Sequence, residues 1–264
     1  MSMVAKVAAV GLFVVAGPAW ADSPFDGTWK VDLSTAQITG KPERFQVKNG
    51  TYSCQTCQPT PYSIPADGQY HRVAGRPYWD ELSVTPNGDN AATFSFKKGG
   101  RVISTNTMTV SADGRTLTSV SHNTNNGGNV PVDATSSMIR VGTPMAGAHA
   151  ISGAWQPQVA TSVSDAALTM KMRLTGNQFH QEIGLGETLD ATIGGSYAVN
   201  VGDPGKTMTK VERAGPRALR FTDMRGGRVI NIQTLTVAAD GKSIASIARD
   251  PTTGNTTRGT ALRQ

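Results

Sequence analysis

Apolar and polar positions alternate along most of this chain. In RVISTNTMTV (Arg101–Val110), Val102, Ser104, Asn106, Met108 and Val110 fall on one face, and Ile103, Thr105 and Thr107 on the other. Similar runs are GTWKVDL, RFQVKNG, YHRV, WDELSV, TFSFKK, RTLTSVSH and TSSMIRV. Turn signals divide them: Asn49-Gly50, Pro86-Asn87-Gly88-Asp89, Gly99-Gly100 and Ala112-Asp113-Gly114. A short polar loop is expected from Ser34 to Glu43. Long helical periodicities are absent. The pattern predicts an all-β protein of short antiparallel strands joined as a meander. A meander of this many twisted strands removes its edges by closing into a barrel. Period two does not say which face of Arg101–Val110 points inward.

The pattern occurs twice. KKGGRVISTNTMTVSADGRTLTSV (Lys97–Val120) aligns without gaps with MRGGRVINIQTLTVAADGKSIASI (Met224–Ile247), at an offset of about 127 residues. The same offset pairs DGQYHRVAGRP with GGSYAVNVGDP, and nearly pairs FDGTWK with ISGAWQ. A repeat this long is a domain. VGTPMAGAHA (Val141–Ala150) has linker composition. The expectation is two tandem barrels of eight to ten strands each, at 23–143 and 147–264.

The N-terminus changes the expected compartment. Lys6, the apolar run Val7–Ala16, Pro18 and Ala19-Trp20-Ala21 have the order of a secretory signal peptide, 1–21, cleaved after Ala21. The protein is expected to be exported, periplasmic or secreted, with no integral membrane segment in the mature chain. The formal charge of +6 comes from scattered residues without interleaved aromatics, which argues against nucleic acid as a partner.

Catalytic signatures are not evident. His71, His122, His149 and His180 stand outside any metal or nucleophile motif, and Asp80 and Glu81 are adjacent, hence on opposite strand faces. No cofactor, metal ligand set or catalytic residue is predicted, and the enzyme reading has no residue-level support. Cys54 and Cys57 are the only cysteines. Gln58 after Cys57 excludes haem attachment. An exported chain favours a Cys54–Cys57 disulfide that stiffens the loop after a strand. A redox role, or a zinc site completed by His71 and His122, stays open.

The openings Gly27-Thr28-Trp29 and Gly153-Ala154-Trp155 resemble the first strand of the calycins: lipocalins, fatty-acid-binding proteins and bacterial lipocalin-like relatives. The resemblance implies that Trp29 and Trp155 close barrel ends under last-strand cations, Arg140 and Arg263. It also implies a small hydrophobic or amphipathic ligand. The gap after the first strand is too short for a two-helix lid.

Candidate ligand-binding residues are Tyr70, Tyr78, Asp80, Asn106, Met108, Tyr197, Asn231 and Gln233. Tyr78, Trp79 and Asp80 have no counterpart in the second copy, where Gly205, Lys206 and Thr207 stand instead. Gln181 falls where the first copy has Cys54. The expected function is binding of a small molecule. Alternatives are a barrel enzyme acting on a hydrophobic substrate and an envelope interaction or inhibitor module with filled barrels. The ligand and oligomeric state are not legible.

Overall fold

The computed structural model describes residues 23–264. The expected signal peptide, 1–21, lies outside these residues. The first copy carries β1 (Gly27–Thr39), β2 (Glu43–Lys48), β3 (Thr51–Cys54), β4 (Tyr62–Pro65), β5 (His71–Arg72), β6 (Glu81–Asn87), β7 (Ala91–Lys98), β8 (Arg101–Val110), β9 (Thr116–Asn123) and β10 (Val132–Val141). The second carries β11 (Gly153–Pro157), β12 (Ser162–Val163), the one-turn helix α1 (Asp165–Leu168), β13 (Thr169–Thr175), β14 (Gln178–Ile183), β15 (Glu187–Thr192), β16 (Ala198–Val201), β17 (Met208–Gly215), β18 (Ala218–Arg225), β19 (Arg228–Val237), β20 (Ser243–Arg249) and β21 (Thr256–Arg263).

These strands form two antiparallel barrels. Barrel one is nearly closed, in the order β4-β3-β2-β11-β10-β9-β8-β7-β6-β5, with β12 added beside β10 and its gap between β4 and β5. Barrel two is closed, in the order β1-β13-β14-β15-β16-β17-β18-β19-β20-β21. The first strands are therefore exchanged. β1 lies between β13 and β21, pairing Trp29 with Arg263, while β11 lies between β2 and β10, pairing Trp155 with Arg140. Taken as spans of sequence, 23–143 and 147–264 each give their first strand to the barrel built mainly by the other, so the folded units do not end at the repeat boundaries.

The exchange follows from the connection after β1. The polar stretch expected to be a loop instead continues the strand. Asp32 makes an irregularity, its carboxylate accepting from Ser34 N and Oγ, and Gln37–Thr39 then resume pairing with Thr256–Arg258. Only Gly40-Lys41-Pro42 remain before β2. Proline has no N–H to donate and disfavours helix in the residue before it, so this segment passes extended to the other barrel instead of folding back.

Each exchanged tryptophan anchors the barrel that receives it. Both indoles are fully buried, Trp29 in the core of barrel two and Trp155 in that of barrel one. Trp29 Nε1 donates to the Phe25 carbonyl at 2.9 Å and Trp155 Nε1 to the Ile151 carbonyl at 2.8 Å, so neither polar atom is orphaned. The Arg263 guanidinium lies 4.2 Å from the Trp29 ring centroid, and Arg140 lies 4.0 Å from that of Trp155. Each guanidinium is held by three backbone carbonyls: Gly241, Asp26 and Pro24 for Arg263, and Gly114, Ser152 and Ala150 for Arg140. The glycine two residues before each indole is needed here. Gly27 and Gly153 have φ of 127° and 143°, and a Cβ would stand 2.6 and 2.7 Å from the arginine Nη1 atoms.

Two β-bulges decide the face that the alternation left open. Register shifts between Phe96 and Lys97, and between Asp223 and Met224, turn Val102 outward and leave Asn106, Met108 and Val110 on the inner face of β8. Val102 is 47% exposed, whereas Val110 is buried in the core and Met108 packs against it.

Candidate functional site

The two interiors differ in chemistry. In barrel one, Leu82, Val84 and Leu117 are fully buried, and a file of tilted and edge-on aromatic contacts links Phe45, Tyr52, Tyr62, Trp79 and Phe96 at centroid distances of 5.2 to 6.5 Å. Offset and edge-on packing of this kind suits the ring quadrupoles and fills space efficiently. The inward amide of Asn106 is tied to the barrel, its Oδ1 accepting from Ser119 Oγ at 2.7 Å. Barrel one is a packed core.

Barrel two keeps a chamber of about 220 Å³. Phe221, Leu189 and Ile183 form its apolar wall, and Gln181, Asn200, Thr209, Asp223 and Gln233 bring polar groups into it. The Asp223 carboxylate is fixed by two neutral donors, Thr209 Oγ1 at 2.6 Å and Asn231 Nδ2 at 2.9 Å. Glu187 stands at the wall nearest the first copy. Burial lifts its carboxyl above the ordinary range, nearby Asp203 adds to this, and the Gly127 N–H opposes it.

A larger cavity, about 670 Å³, opens between the two copies. Pro59, Arg76, Tyr78 and Trp79 form one wall, and Arg225, Arg228, Ile230 and Asp250 form the other. Tyr78 joins the walls. Its ring packs on Gly205, its own counterpart in the second copy, so closely that a Cβ there would come within 2.7 Å. The Arg225 guanidinium covers the same ring at 4.7 Å, and its Nη2 donates to Tyr78 Oη and to Thr207 Oγ1.

Arg76 is only 7% exposed. It lies over the Tyr62 ring at 4.5 Å and donates through Nη1 and Nη2 to the carbonyls of Gln58 and Thr60. Its Nε, like that of Arg225, is buried without a partner. Among the described residues, no carboxylate lies within ion-pair distance of Arg76, Arg225 or Arg228. Three guanidiniums thus face Asp250 as the cavity's one acid. Burial pulls Arg76 below its ordinary pKa. A buried cation without a counter-ion is costly to fold, and an anion arriving at it is correspondingly favoured.

Cys54 and Cys57 form a disulfide with Cα atoms 5.5 Å apart, and the pair is consistent with an oxidising environment. Directly after it come Gln58, Pro59 and Thr60, which carry the carbonyls holding Arg76 and part of the cleft wall. The disulfide therefore braces the segment that positions Arg76. His71 and His122 each pair with a single aspartate, at 2.9 and 2.8 Å, and no metal-sized group of His, Cys, Asp or Glu occurs among the described residues.

The eight residues singled out for ligand contact do not converge. Tyr78 lines the cleft and Gln233 lines the chamber, where Asn231 supports Asp223. Asn106 and Met108 lie inside filled barrel one. Tyr70 lies on the outer face of barrel one, bonded to Ser95 at 2.7 Å and covered by Lys97 at 3.6 Å. Tyr197 sits near Lys210 and lines neither cavity. Asp80 caps a hairpin, its Oδ2 accepting from Gly99 N at 3.0 Å.

Sequence reasoning missed Arg76, Arg225 and Arg228 because Arg225 and Arg228 face each other at the end of the β18–β19 pair, while Arg76 comes from a loop of the first copy. The one available signal was Gly205: a glycine facing a tyrosine in an aligned duplication marks a close approach. No protein-family model matches this chain, and no curated protein matches it in sequence.

Proposed function

We propose that this is an exported binding protein for a small amphipathic anion, held in the cleft between the barrels. The observation that carries this reading is Arg76: a buried guanidinium with an unpartnered Nε and no carboxylate nearby, on the wall of a cavity of about 670 Å³. That volume lies within the roughly 300–1,000 Å³ usual for small-molecule sites. Tyr78, Trp79, Pro59 and Ile230 offer an apolar body-binding surface, and Arg76, Arg225 and Arg228 supply attraction for the charged head. The calycin resemblance supports ligand binding as a class. The signal-like N-terminus and the disulfide support export. The site moves from the barrel interiors, where the resemblance would put it, to the junction of the two copies.

The test uses an aromatic sulfonate, 8-anilinonaphthalene-1-sulfonate, against the uncharged N-phenyl-1-naphthylamine on the folded protein. Saturable fluorescence with one sulfonate per chain is expected, with tenfold or greater weakening in Arg225→Gln and in Arg76→Gln. Equal binding of the neutral dye, or undiminished sulfonate binding in both variants, would refute the anion site. Native mass spectrometry of protein from its own host identifies any resident ligand.

A further inference from the structure

We propose that the chamber inside barrel two is a second, independent site, and that it takes a small organic ammonium ion. Three observations converge. The first is charge. The chamber of about 220 Å³ has Asp223 and Glu187 in its wall and no Lys, Arg or His. Asp223 is steadied by a hydroxyl and an amide, which orient a carboxylate without neutralising it.

The second observation is hydrogen-bond polarity. The amide nitrogens around the chamber are already directed at the protein: Asn200 Nδ2 to Thr209 Oγ1 at 3.1 Å, Gln233 Nε2 to Ser246 Oγ at 2.9 Å, and Asn231 Nδ2 to Asp223. Thr209 passes its own proton to Asp223. One N–H of each amide and the Thr209 hydroxyl proton are engaged in this way, so the wall's charge is that of carboxylates and its amide oxygens remain to accept. An ammonium carries three donors and no acceptor, and so matches such a wall. A carboxylate or phosphate ligand would be repelled there by Asp223 and Glu187, with no cation in the wall to offset them. A metal ion is a poorer match, because no group of three His, Cys, Asp or Glu ligands occurs among the described residues.

The third observation is the sister barrel. The polar positions Gln181, Asn200, Thr209 and Asp223 stand where barrel one has Cys54, Val73, Leu82 and Phe96, all part of its apolar packing. The frame does not require polarity at these places. Phe221 and Leu189 remain to receive a short alkyl group.

The experiment titrates the full chain with propylammonium, 1-propanol and propanoate, three probes of nearly one size, and follows calorimetry and NMR shifts of Leu189 and Phe221. Saturable shifts at these residues with propylammonium are expected, at least tenfold weaker with propanol and absent with propanoate. Asp223→Asn should weaken propylammonium tenfold or more. Should that variant fail to fold, the comparison of the three probes on the native protein decides alone. Propanol or propanoate binding as well as propylammonium overturns the proposal, as do shifts that never saturate, which would mean that the chamber holds water only.

Discussion

The two barrels share one strand plan and one foundation, yet one is filled and the other hollow. Near the tryptophan end both are apolar: Val84 and Val211, Phe94 and Phe221, Val110 and Val237, Leu117 and Ile244 occupy matching positions and are all buried. Away from it they part: Phe96 becomes Asp223, Leu82 becomes Thr209 and Cys54 becomes Gln181. A barrel of this size therefore needs only the tryptophan half of its interior to be packed. The other half is free to carry chemistry. In barrel one that freedom went into the aromatic file, whose outer member, Trp79, also walls the cleft. In barrel two it went into an acceptor-lined chamber.

The sharpest way to break this comparison is at the foundation. Trp29→Ala removes a fully buried indole, and changes of this kind cost about 3–5 kcal/mol. Because β1 is exchanged, the loss should fall on barrel two, although Trp29 belongs to the first copy. Hydrogen exchange should accelerate at Leu235 and Ile244 while Val84 and Leu117 stay protected, and Trp155→Ala should give the mirror result. The exchange is falsified if Trp29→Ala loosens barrel one instead.

Next in size is a transplant of one interior into the other. Phe96→Asp places the second copy's carboxylate in the aromatic file, where Trp79 is its neighbour at 5.2 Å and no donor equivalent to Thr209 exists, since Leu82 stands there. The lost ring and the unpartnered carboxylate together should cost roughly 3 kcal/mol or more. Denaturant titration measures this. A cost under 1 kcal/mol would mean that barrel one tolerates a polar interior and that its filling is incidental.

The brace comes third. A ring closed over two intervening residues restricts the unfolded chain little, so Cys54→Ser with Cys57→Ser should lower global stability by about 2 kcal/mol at most. Its larger effect should be local. The Gln58 and Thr60 carbonyls lose their fixed position, Arg76 loosens, and sulfonate binding in the cleft should fall severalfold while barrel two's chamber is untouched. Unchanged affinity in the reduced protein would separate the brace from the site.

Much of this architecture was legible because strands, turns and duplication are local signals: alternation, Asn-Gly and Gly-Gly pairs, and a matching offset. The exchange was not. Gly27-Thr28-Trp29 fits beneath Arg140 as well as beneath Arg263, since both arginines end equivalent strands, and only the three-residue connection to β2 separates the possibilities. The chamber was half legible. Asn231 and Gln233 stood out as polar residues on an otherwise apolar face, but the bulge that turns Val229 out of that face leaves no compositional mark. The cleft was the least legible, because it sets loops of the first copy against the end of the β18–β19 pair and a loop of the second, and alternation says nothing about how such distant segments meet.

The smallest effect is also the most specific to one barrel. On the outside of barrel two, His180 Nδ1 lies 2.7 Å from Asp190 and Nε2 3.2 Å from Glu182. The hydrogen bonds to Asp190 and then Glu182 raise its pKa above the ordinary histidine value. The matching place in barrel one holds Ser53 and Ser63, bonded to one another at 2.8 Å and without charge. A raised folded-state pKa means that the protonated ring favours folding. That stability is complete below the unfolded value of about 6.5 and is lost as pH rises through the higher folded value. The site is exposed, so solvent screening keeps the effect small. Between about pH 5.5 and pH 8.5, the stability difference between the native protein and His180→Gln should shrink steadily. A difference that stays constant with pH would show that the three groups contribute packing alone, and a difference that grows would reverse the sign of the linkage argued here.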